Sequence, residues 1–399
     1  MKSLGTVFRK ELTDTLRDRR TIITMILVPL MLFPVIMSVM TRIQVSQMKK
    51  AEAEVLQVAL ITYGNAQAFR DSLLARDDFE VHEDIPADSV RALIQRDSLD
   101  GAFVFSKNFD KRVQNLKSGR VKFYYKSTEN EKEDITKRRL KEVLDGFEKT
   151  LLAERFRKLQ LDEDTVEPVK VAEVNVATPK ERLGRAIGGF LPYIFVIFCF
   201  TGAMYPAIDL AAGEKERGTI ETLLTAPVPR LQILLGKFSV VVLTGIASAA
   251  ISMVGLYIGF RQIPEIPTEA LETILSILEV KSIVLVLSLL FPLTVFFAGL
   301  LLSVSIFARS FKEAQSYISP MTIIVILPVI VGLLPGMELT AKTALIPILN
   351  ISLATKEIIA GTIKTGLLLE VYASLIVLAA LGLFFCTQMF TRESVIFRS

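Results

Sequence analysis

Residues Ala211–Lys237 read AAGEKERGTIETLLTAPVPRLQILLGK and lie between two apolar runs, Ala186–Ile208 and Phe238–Phe260. Neither run contains Asp, Glu, Lys or Arg, and each exceeds the roughly 20 residues that a helix needs to cross a bilayer. We therefore predict two consecutive transmembrane helices joined by a charged loop. Because such a loop stays in water, the first helix ends and the next begins on the same side of the membrane.

The loop has the sequence features of a short, well-defined helix. Gly218 accepts backbone angles that other residues avoid, and Thr219 can cap a helix start. Glu221 then lies near the positive end of the helix dipole, while Pro227 and Pro229 end the helix and restart the chain. Two interpretations are open: a solvated connector between spans, or a rigid charged segment that contacts another protein.

A longer pattern that starts at Glu214, E-x-E-x-G-T-x-E-x-L-L-x-x-P, resembles the first cytoplasmic loop of type-2 ABC exporter permeases, and Leu235-Gly236-Lys237 matches as well. In that family the loop carries a coupling helix that docks on a separate ATPase subunit. The resemblance therefore implies an ATPase-coupling role for eight residues of this sequence. They are Gly213, Glu214, Glu216, Arg217, Gly218, Thr219, Glu221 and Pro227.

The chain as a whole is too apolar for an ordinary soluble protein, since 51% of its 399 residues are hydrophobic and its mean hydropathy is +0.47. We expect a polytopic α-helical membrane protein with a large extracytoplasmic α/β domain, residues 42–185, between its first and second spans. Residues 186–391 hold the other five spans. The six predicted spans are Thr21–Thr41, Ala186–Ile208, Phe238–Phe260, Ser282–Ala308, Ala314–Met337 and Val371–Thr391.

The basic residues in the short segments predict the orientation. Segments 1–20, 209–237, 309–313 and 392–399 carry 6, 4, 2 and 2 Lys or Arg residues, whereas segments 261–281 and 338–370 carry 2 and 3. This asymmetry places both termini, the coupling loop 209–237 and the tail 392–399 in the cytoplasm. The positive net charge is therefore a topology signal and gives no support for nucleic-acid binding.

The first twenty residues form a predicted amphipathic helix, because apolar residues recur at three- and four-residue spacing. They are Leu4, Val7, Phe8, Leu12 and Leu16. A basic amphipathic helix beside a span is typical of the membrane interface, and a plain cytoplasmic lead-in is the alternative. The resemblance favours the interfacial elbow helix of these exporters.

Strand-like and helical patterns alternate in residues 42–185 and predict a small sheet covered by helices. The predicted strands are Val55–Thr62, Gly101–Phe105, Val121–Lys126 and Val169–Val174, and the predicted helices are Ala66–Ala75, Ala87–Arg96, Phe109–Lys117 and Glu131–Leu161. His82, the single histidine, lies beside two acids; this pattern is more typical of a solvated turn than of a metal site, so we predict no metal. We expect the basic cluster Lys137-Arg138-Arg139-x-Lys141 to be a solvated helix face.

Residues 340–365 form a second informative stretch. Ile346–Leu353 is apolar but far shorter than a span and contains Pro347, which favours a re-entrant or external segment. Its P-x-x-N-x-S-L pattern resembles the sodium-extrusion permeases of the NatB type. There Pro347 and Asn350 are candidates for an external gate, and Asn350 as a simple helix-turn cap is the equal alternative.

Several signatures of catalysis are absent from the sequence. It has no G-x-x-x-x-G-K-[ST] phosphate loop and no histidine-containing triad, and no predicted span contains a carboxylate. We therefore expect a non-enzymatic chain that binds no cofactor. Sodium, if it passes, must use neutral oxygen ligands or the border acids Asp209, Glu357 and Glu370.

The resemblance to NatB-like permeases covers nearly the whole chain. It implies the membrane subunit of an ATP-driven exporter in the bacterial cytoplasmic membrane, with sodium as the expected cargo. The implied partners are a second permease subunit, identical or not, and a cytoplasmic ATPase that uses ATP and Mg²⁺. Two alternatives stay open: an exporter of lipid, peptide or drug, and a membrane-anchored sensor or scaffold whose external domain binds a ligand.

Overall fold

A computed structural model describes residues 2–64, 66–126, 131–161, 178, 189–262, 275, 279–334 and 336–392. The chain divides into two units, one made of Met1–Val39 with Asn175–Ser399 and the other of Met40–Val174. The first unit contains the long apolar helices and the second contains the α/β domain. The structure therefore confirms the predicted α/β domain between the first and second spans.

Six helices in the described ranges are long and apolar enough to cross a membrane, as predicted. Spans 1 to 6 are Arg19–Ile43, Phe190–Glu216, Arg230–Arg261, Val280–Phe307, Phe311–Val331 and Thr365–Thr391. Span 5 begins three residues before the predicted start, because the Ser310 side chain accepts a hydrogen bond from the backbone N–H of Glu313 and caps the helix there. The expected start of span 2 at residues 186–188 lies outside the described residues.

The chain begins with helix α1 (Lys2–Arg17), and span 1 follows after the capping residue Asp18. Span 1 opens with α2 (Arg19–Ile22) and a π-helical turn (Ile23–Leu27) and continues as α3 (Val28–Ala53). The α3 helix therefore extends well past the predicted end of the span. Polar side chains in its last part do not stop a helix, since Gln, Lys, Glu and Ala all have high helix propensity.

The α/β domain contains a four-stranded sheet in the order β2-β1-β3-β4. Strand β1 is parallel to both of its neighbours, and β4 is antiparallel to β3. In chain order the elements are β1 (Leu56–Ile61), α4 (Gln67–Leu74), β2 (Phe79–His82), α5 (Val90–Gln95), β3 (Gly101–Phe105), α6 (Phe109–Gln114), β4 (Val121–Tyr125) and α7 (Glu131–Leu159). Strand β2 was not predicted, and the expected strand Val169–Val174 lies outside the described residues.

Both faces of this sheet are covered. One face buries the rings of Phe69, Phe103 and Phe105 beneath α4, α6 and α7, and the other packs on Val90 and Ile94 of α5. Aromatic pairs such as Phe69–Phe103, with ring centroids 5.0 Å apart, add edge-to-face contacts to the apolar burial. The domain therefore has a hydrophobic core of its own.

The expectation of a solvated face for Lys137–Lys141 is wrong at Arg139, which is 7% exposed. Its guanidinium donates hydrogen bonds to the backbone oxygen of Glu54 (2.9 Å) and to the backbone and side-chain oxygens of Asp78 (both 3.1 Å). A charged group can be buried when it is fully hydrogen-bonded, and this one ties α7 to the starts of two strands.

After span 1, the membrane unit resumes with α8 (Phe190–Ile208) and ends with α16. The remaining elements are a π-helical turn (Asp209–Gly213), α9 (Glu214–Glu216), α10 (Thr219–Leu224), α11 (Arg230–Arg261), α12 (Val280–Phe307), α13 (Phe311–Val331), α14 (Ala341–Ala344), α15 (Leu349–Ala360) and α16 (Thr365–Thr391). Helices α8 and α11 pack closely because Gly202 lies directly against Ser248. Small residues at such contacts let helix backbones approach one another.

Candidate functional site

The charged segment between spans 2 and 3 folds as two short helices joined by a tight turn. The turn lies between α9 and α10, and its central residue Gly218 has a φ of +70°. Glycine adopts this angle at no steric cost, which explains its position here. Helix α10 ends at Leu224 and span 3 starts directly after Pro229, as the prolines predict.

The outermost part of this segment, Glu216–Thr222, is here called the tip. Its side chains at Glu216, Arg217, Thr219 and Thr222 are exposed, and Gly218 is exposed as well. Pro227 is exposed just beyond the tip, at the turn into span 3. Glu221 belongs to α10, but its side chain lies outside the described residues. The tip therefore presents charged and polar groups to solvent, as a docking surface requires.

Two bonds tie the first residue of the tip, and the residue before it, to the turn between spans 4 and 5. The Lys215 Nζ donates to the backbone oxygen of Ile306 near the end of span 4 (3.0 Å). The backbone N–H of Phe311, the first residue of span 5, donates to Glu216 Oε2 (2.8 Å). A carboxylate at the N-terminus of a helix is favourable because it meets free N–H groups and the positive end of the helix.

Two more bonds shape the turn itself. Arg217 Nη1 donates to Asp209 Oδ1 (2.8 Å), one helical segment earlier. Gly213 leaves room for this pair, since a Cβ atom there would lie 2.7 Å from Asp209 Oδ1. The Thr219 hydroxyl, expected to cap α10, donates to the backbone oxygen of Glu214 (3.2 Å). Gly213, Arg217 and Thr219 therefore hold the turn in shape.

Glu214 differs from the other acids of the segment because its side chain is only 6% exposed. Its Oε1 atom lies 2.6 Å from the Nζ of Lys237, which is itself buried. That ammonium also donates to the backbone oxygen of Leu210 in the π-helical turn (2.9 Å). The structure therefore places Glu214 inside the protein, beneath the tip, rather than on its outer surface.

A polar cleft of about 520 Å³ opens beside the tip. It brings together the start of span 1, the end of span 2 and the start of span 5. Its lining includes acidic and basic groups, and these lie within reach of any protein that contacts the tip. The lining residues are Asp18, Arg20, Thr21, Tyr205, Asp209, Gly213, Glu216, Arg217 and Phe311.

The second informative stretch, residues 340–365, enters the helix bundle. The Ser374 hydroxyl, nine residues along span 6, donates to the backbone oxygen of Leu345 (3.4 Å), which corresponds to a depth of ~14 Å along the helix. The chain then reverses at Ile348, whose φ of +69° accompanies a hydrogen bond from Leu349 N to Pro347 O (2.8 Å). This i to i+2 bond defines a γ-turn, a strained conformation that places α15 among buried neighbours.

Asn350 is completely buried in the first turn of α15. Its Nδ2 donates to the backbone oxygen of Ala344 (2.9 Å), the last residue of α14, and so closes the connection between the two helices. Its Oδ1 has no hydrogen-bond partner among the described residues. In this conformation the side chain braces the connection between α14 and α15.

The single histidine of the sequence, His82, belongs to a chain of hydrogen-bonded side chains in the α/β domain. His82 Nε2 is 2.5 Å from Gln57 Oε1, and Gln57 Nε2 donates to Glu80 Oε2 (2.7 Å). The neighbouring Glu83 pairs with Arg70. The described residues contain no group of three or more His, Cys, Asp or Glu side chains placed to hold a metal ion.

Comparison with known proteins agrees with this architecture. The family model described as "ABC-2 family transporter protein" matches residues 19–387. The ABC transporter permease protein NatB of Bacillus subtilis is 24% identical over 395 residues, which cover 98% of each chain. No solved structure matches the chain. The match over nearly all residues, together with the six spans, shows that the chain belongs to the ABC-2 transporter family, whose membrane permease subunits are not catalytic.

Proposed function

We propose that this chain is the membrane subunit of an ATP-driven exporter and that its tip docks on a separate cytoplasmic ATPase subunit. The observation that carries the proposal is the exposed tip, which together with the two residues before it is bonded to spans 3, 4 and 5. Glu216 bonds the start of span 5, Lys215 bonds the end of span 4, and Glu214 pairs with Lys237 at the start of span 3. A force applied to the tip therefore reaches three spans at once.

This arrangement suits alternating access in a dimer of permease subunits. ATP binding would bring two ATPase subunits together, and the tips would carry that movement into the span bundles. Exposed Glu216, Arg217 and Thr219 are proposed to meet the ATPase, together with Glu221 of α10. Buried Glu214 is proposed to hold the base of the tip, since an ion-paired carboxylate inside the protein is not available to a partner.

The test replaces Gly218 by proline. Its φ of +70° is incompatible with proline, so the turn must change shape while the spans stay intact. The matched control is Gly64→Pro in the external domain, where φ is also positive (+83°) and the surroundings are also open. In proteoliposomes with the partner ATPase, Gly218→Pro should abolish permease-stimulated ATP hydrolysis and Gly64→Pro should not. Full stimulation in Gly218→Pro would refute the coupling role.

Sodium is the proposed cargo. The support is the NatB-like pattern Pro347-x-x-Asn350-x-Ser352-Leu353 and the full-length similarity to the Bacillus subtilis NatB permease. The buried hydroxyl oxygens of Ser248 and Ser305 have no hydrogen-bond partner among the described residues, and hard cations prefer oxygen ligands. ATP-dependent flux of radiolabelled sodium, measured against labelled lipid, peptide and drug panels, decides the cargo.

The alternative of a membrane-anchored sensor leads to a different prediction, because a sensor needs no ATPase subunit. Purification of the chain from its native membrane under mild detergent should recover a nucleotide-binding subunit if it is a permease. Recovery without any such subunit, together with saturable binding of a ligand to the external domain, would favour the sensor.

A further inference from the structure

Four charged side chains meet where helix α1 crosses the base of the tip. Two come from α1, one from the charged segment and one from the start of span 3. Glu11 and Lys237 have side chains that are only 1% and 2% exposed. The four residues, here called the charge cluster, are Lys10, Glu11, Glu214 and Lys237.

Lys237 lies at the centre of this charge cluster. Its Nζ is 2.6 Å from Glu214 Oε1, 3.4 Å from Glu11 Oε1 and 2.9 Å from the backbone oxygen of Leu210. Lys10 Nζ is 3.2 Å from Glu11 and 3.7 Å from Glu214 and completes the balance of two acids and two bases. One ammonium group thus joins three separate parts of the chain.

The contact between α1 and span 3 is close enough to hold this geometry. A Cβ atom at Gly236 would lie 2.7 Å from Val7 Cγ1 and 3.3 Å from the backbone nitrogen of Phe8. The buried side of α1 is formed by Val7, Glu11 and Thr15, which lie four residues apart. The most buried residue of the helix is therefore an acid, and its position is fixed by a glycine on the neighbouring helix.

An isolated buried charge is very costly, so Glu11, Glu214 and Lys237 depend on their partners, whereas Lys10 is half exposed. Glu214 depends on them most, because its Oε2 has no hydrogen-bond partner among the described residues. The orientation of the Glu214 carboxylate therefore depends on the contact of its Oε1 with Lys237 Nζ. Lys237 in turn is held between Glu214 and Glu11, so the pairing on α1 decides where the base of the tip lies.

We propose that Glu11 is a positioning residue of the coupling site: through Lys237 it fixes Glu214 and the π-helical turn, so that helix α1 moves together with the tip. This inference rests on the proposed coupling function and extends it to a helix that does not belong to the loop. Glu11 makes no contact with the ATPase in this scheme. It determines how faithfully movement of the tip is passed to span 3.

The test is Glu11→Gln in the full transporter, reconstituted with its ATPase partner. Glutamine keeps the shape of the side chain and removes its charge. The matched control is Asp14→Asn on the same helix, since Asp14 is also near Lys10 (3.5 Å) but is 53% exposed. We expect Glu11→Gln to bind the ATPase normally, to leave KM for ATP unchanged and to lower stimulated kcat about tenfold, a typical coupling between two sites. Asp14→Asn should match the wild type.

A second variant keeps the proposal testable if Glu11→Gln accumulates poorly in the membrane. Glu11→Asp retains the charge and should recover stimulation to a level between those of Glu11→Gln and the wild type. Equal kcat in Glu11→Gln and Asp14→Asn would overturn the inference, as would a loss of ATPase binding in proportion to kcat. Failure of the wild-type chain to bind or stimulate any ATPase is a separate result, which rejects the proposed function itself.

Discussion

At the level of single residues, the carboxylate of Asp78 joins two arginine side chains of the α/β domain. Arg76 donates two hydrogen bonds of 2.8 Å to it, and Arg139 adds a third of 3.1 Å from the long helix α7. These side-chain hydrogen bonds, first of all that of Arg76, lower the pKa of Asp78 to about 2, although burial acts in the opposite direction.

We predict that this carboxylate makes the stability of the external domain depend on pH. Because its pKa is depressed in the folded state, its contribution is complete above the usual pKa of about 4 and is lost as the pH falls toward 2. Asp78→Asn should cost on the order of 2 kcal/mol at neutral pH. The variant should also lose the acid dependence between pH 4 and 2. Resistance of the full-length protein to trypsin at neutral pH measures the first effect, and resistance to pepsin between pH 4 and 2 measures the second.

The control for this experiment is Asp77→Asn at the exposed neighbouring position. It should keep the acid profile of the wild type. An unchanged profile in Asp78→Asn would show that the Arg76 and Arg139 contacts do not support the fold.

The sequence does not predict which charged side chains of the site pair with one another. Composition assigns charged residues to solvent, and that rule places Glu216 and Arg217 correctly on the surface. It fails for Glu11 and Lys237, because their burial depends on partners more than two hundred residues apart. The one available hint was Lys237 itself, a charge at the very edge of a long apolar run.

At the level of elements, spans 4 and 6 approach one another backbone to backbone. A Cβ atom at Gly299 would lie 2.5 Å from both the backbone carbon and the backbone oxygen of Gly382. The two backbones therefore touch directly, and any side chain at this point must push them apart. Contacts of this kind depend on van der Waals packing, because helices in lipid gain little from the hydrophobic effect.

We predict that Gly299→Ala destabilises the membrane unit by about 1–3 kcal/mol, the usual cost of overpacking. The matched control is Gly366→Ala in the first turn of span 6, where a Cβ atom meets nothing within 4 Å. Unfolding of the purified protein by SDS titration compares the two variants. Equal midpoints would contradict the close approach of spans 4 and 6.

Element types were predictable wherever a sequence pattern was long. Uncharged runs of more than 20 residues located all six spans, and short apolar runs located β1, β3 and β4. Strand β2 is only four residues long and exposes Glu80, so it carries too few apolar positions to be recognised. The γ-turn at Ile348 contains no glycine, so the local sequence does not predict a residue with positive φ at this position.

At the level of the whole molecule, the orientation in the membrane is the next testable point. The basic residues predict that the tip is cytoplasmic and that the external domain lies on the opposite side. Both natural cysteines, Cys199 and Cys386, are buried, so the unmodified chain gives a low labelling background. Single cysteines at the exposed positions Ser72 and Thr222 report the two sides.

We predict that a membrane-impermeant maleimide labels Ser72→Cys on intact spheroplasts. Thr222→Cys should react only after the membrane is opened. The unmodified chain serves as the blank in both conditions. Labelling of Thr222→Cys on intact spheroplasts would place the tip outside the cell, where no ATP-driven partner can reach it.

The inward start of α15 has a consequence for whatever crosses the membrane. The aligned peptide groups of this twelve-residue helix concentrate about half a positive charge at its first turn, where Leu349 and Asn350 are buried. Because these residues are buried, that charge is screened less than at the surface, so it disfavours cations and attracts carboxylates and phosphates. The proposed sodium cargo is therefore expected to cross by a route around this point, whereas an anionic cargo would be attracted to it.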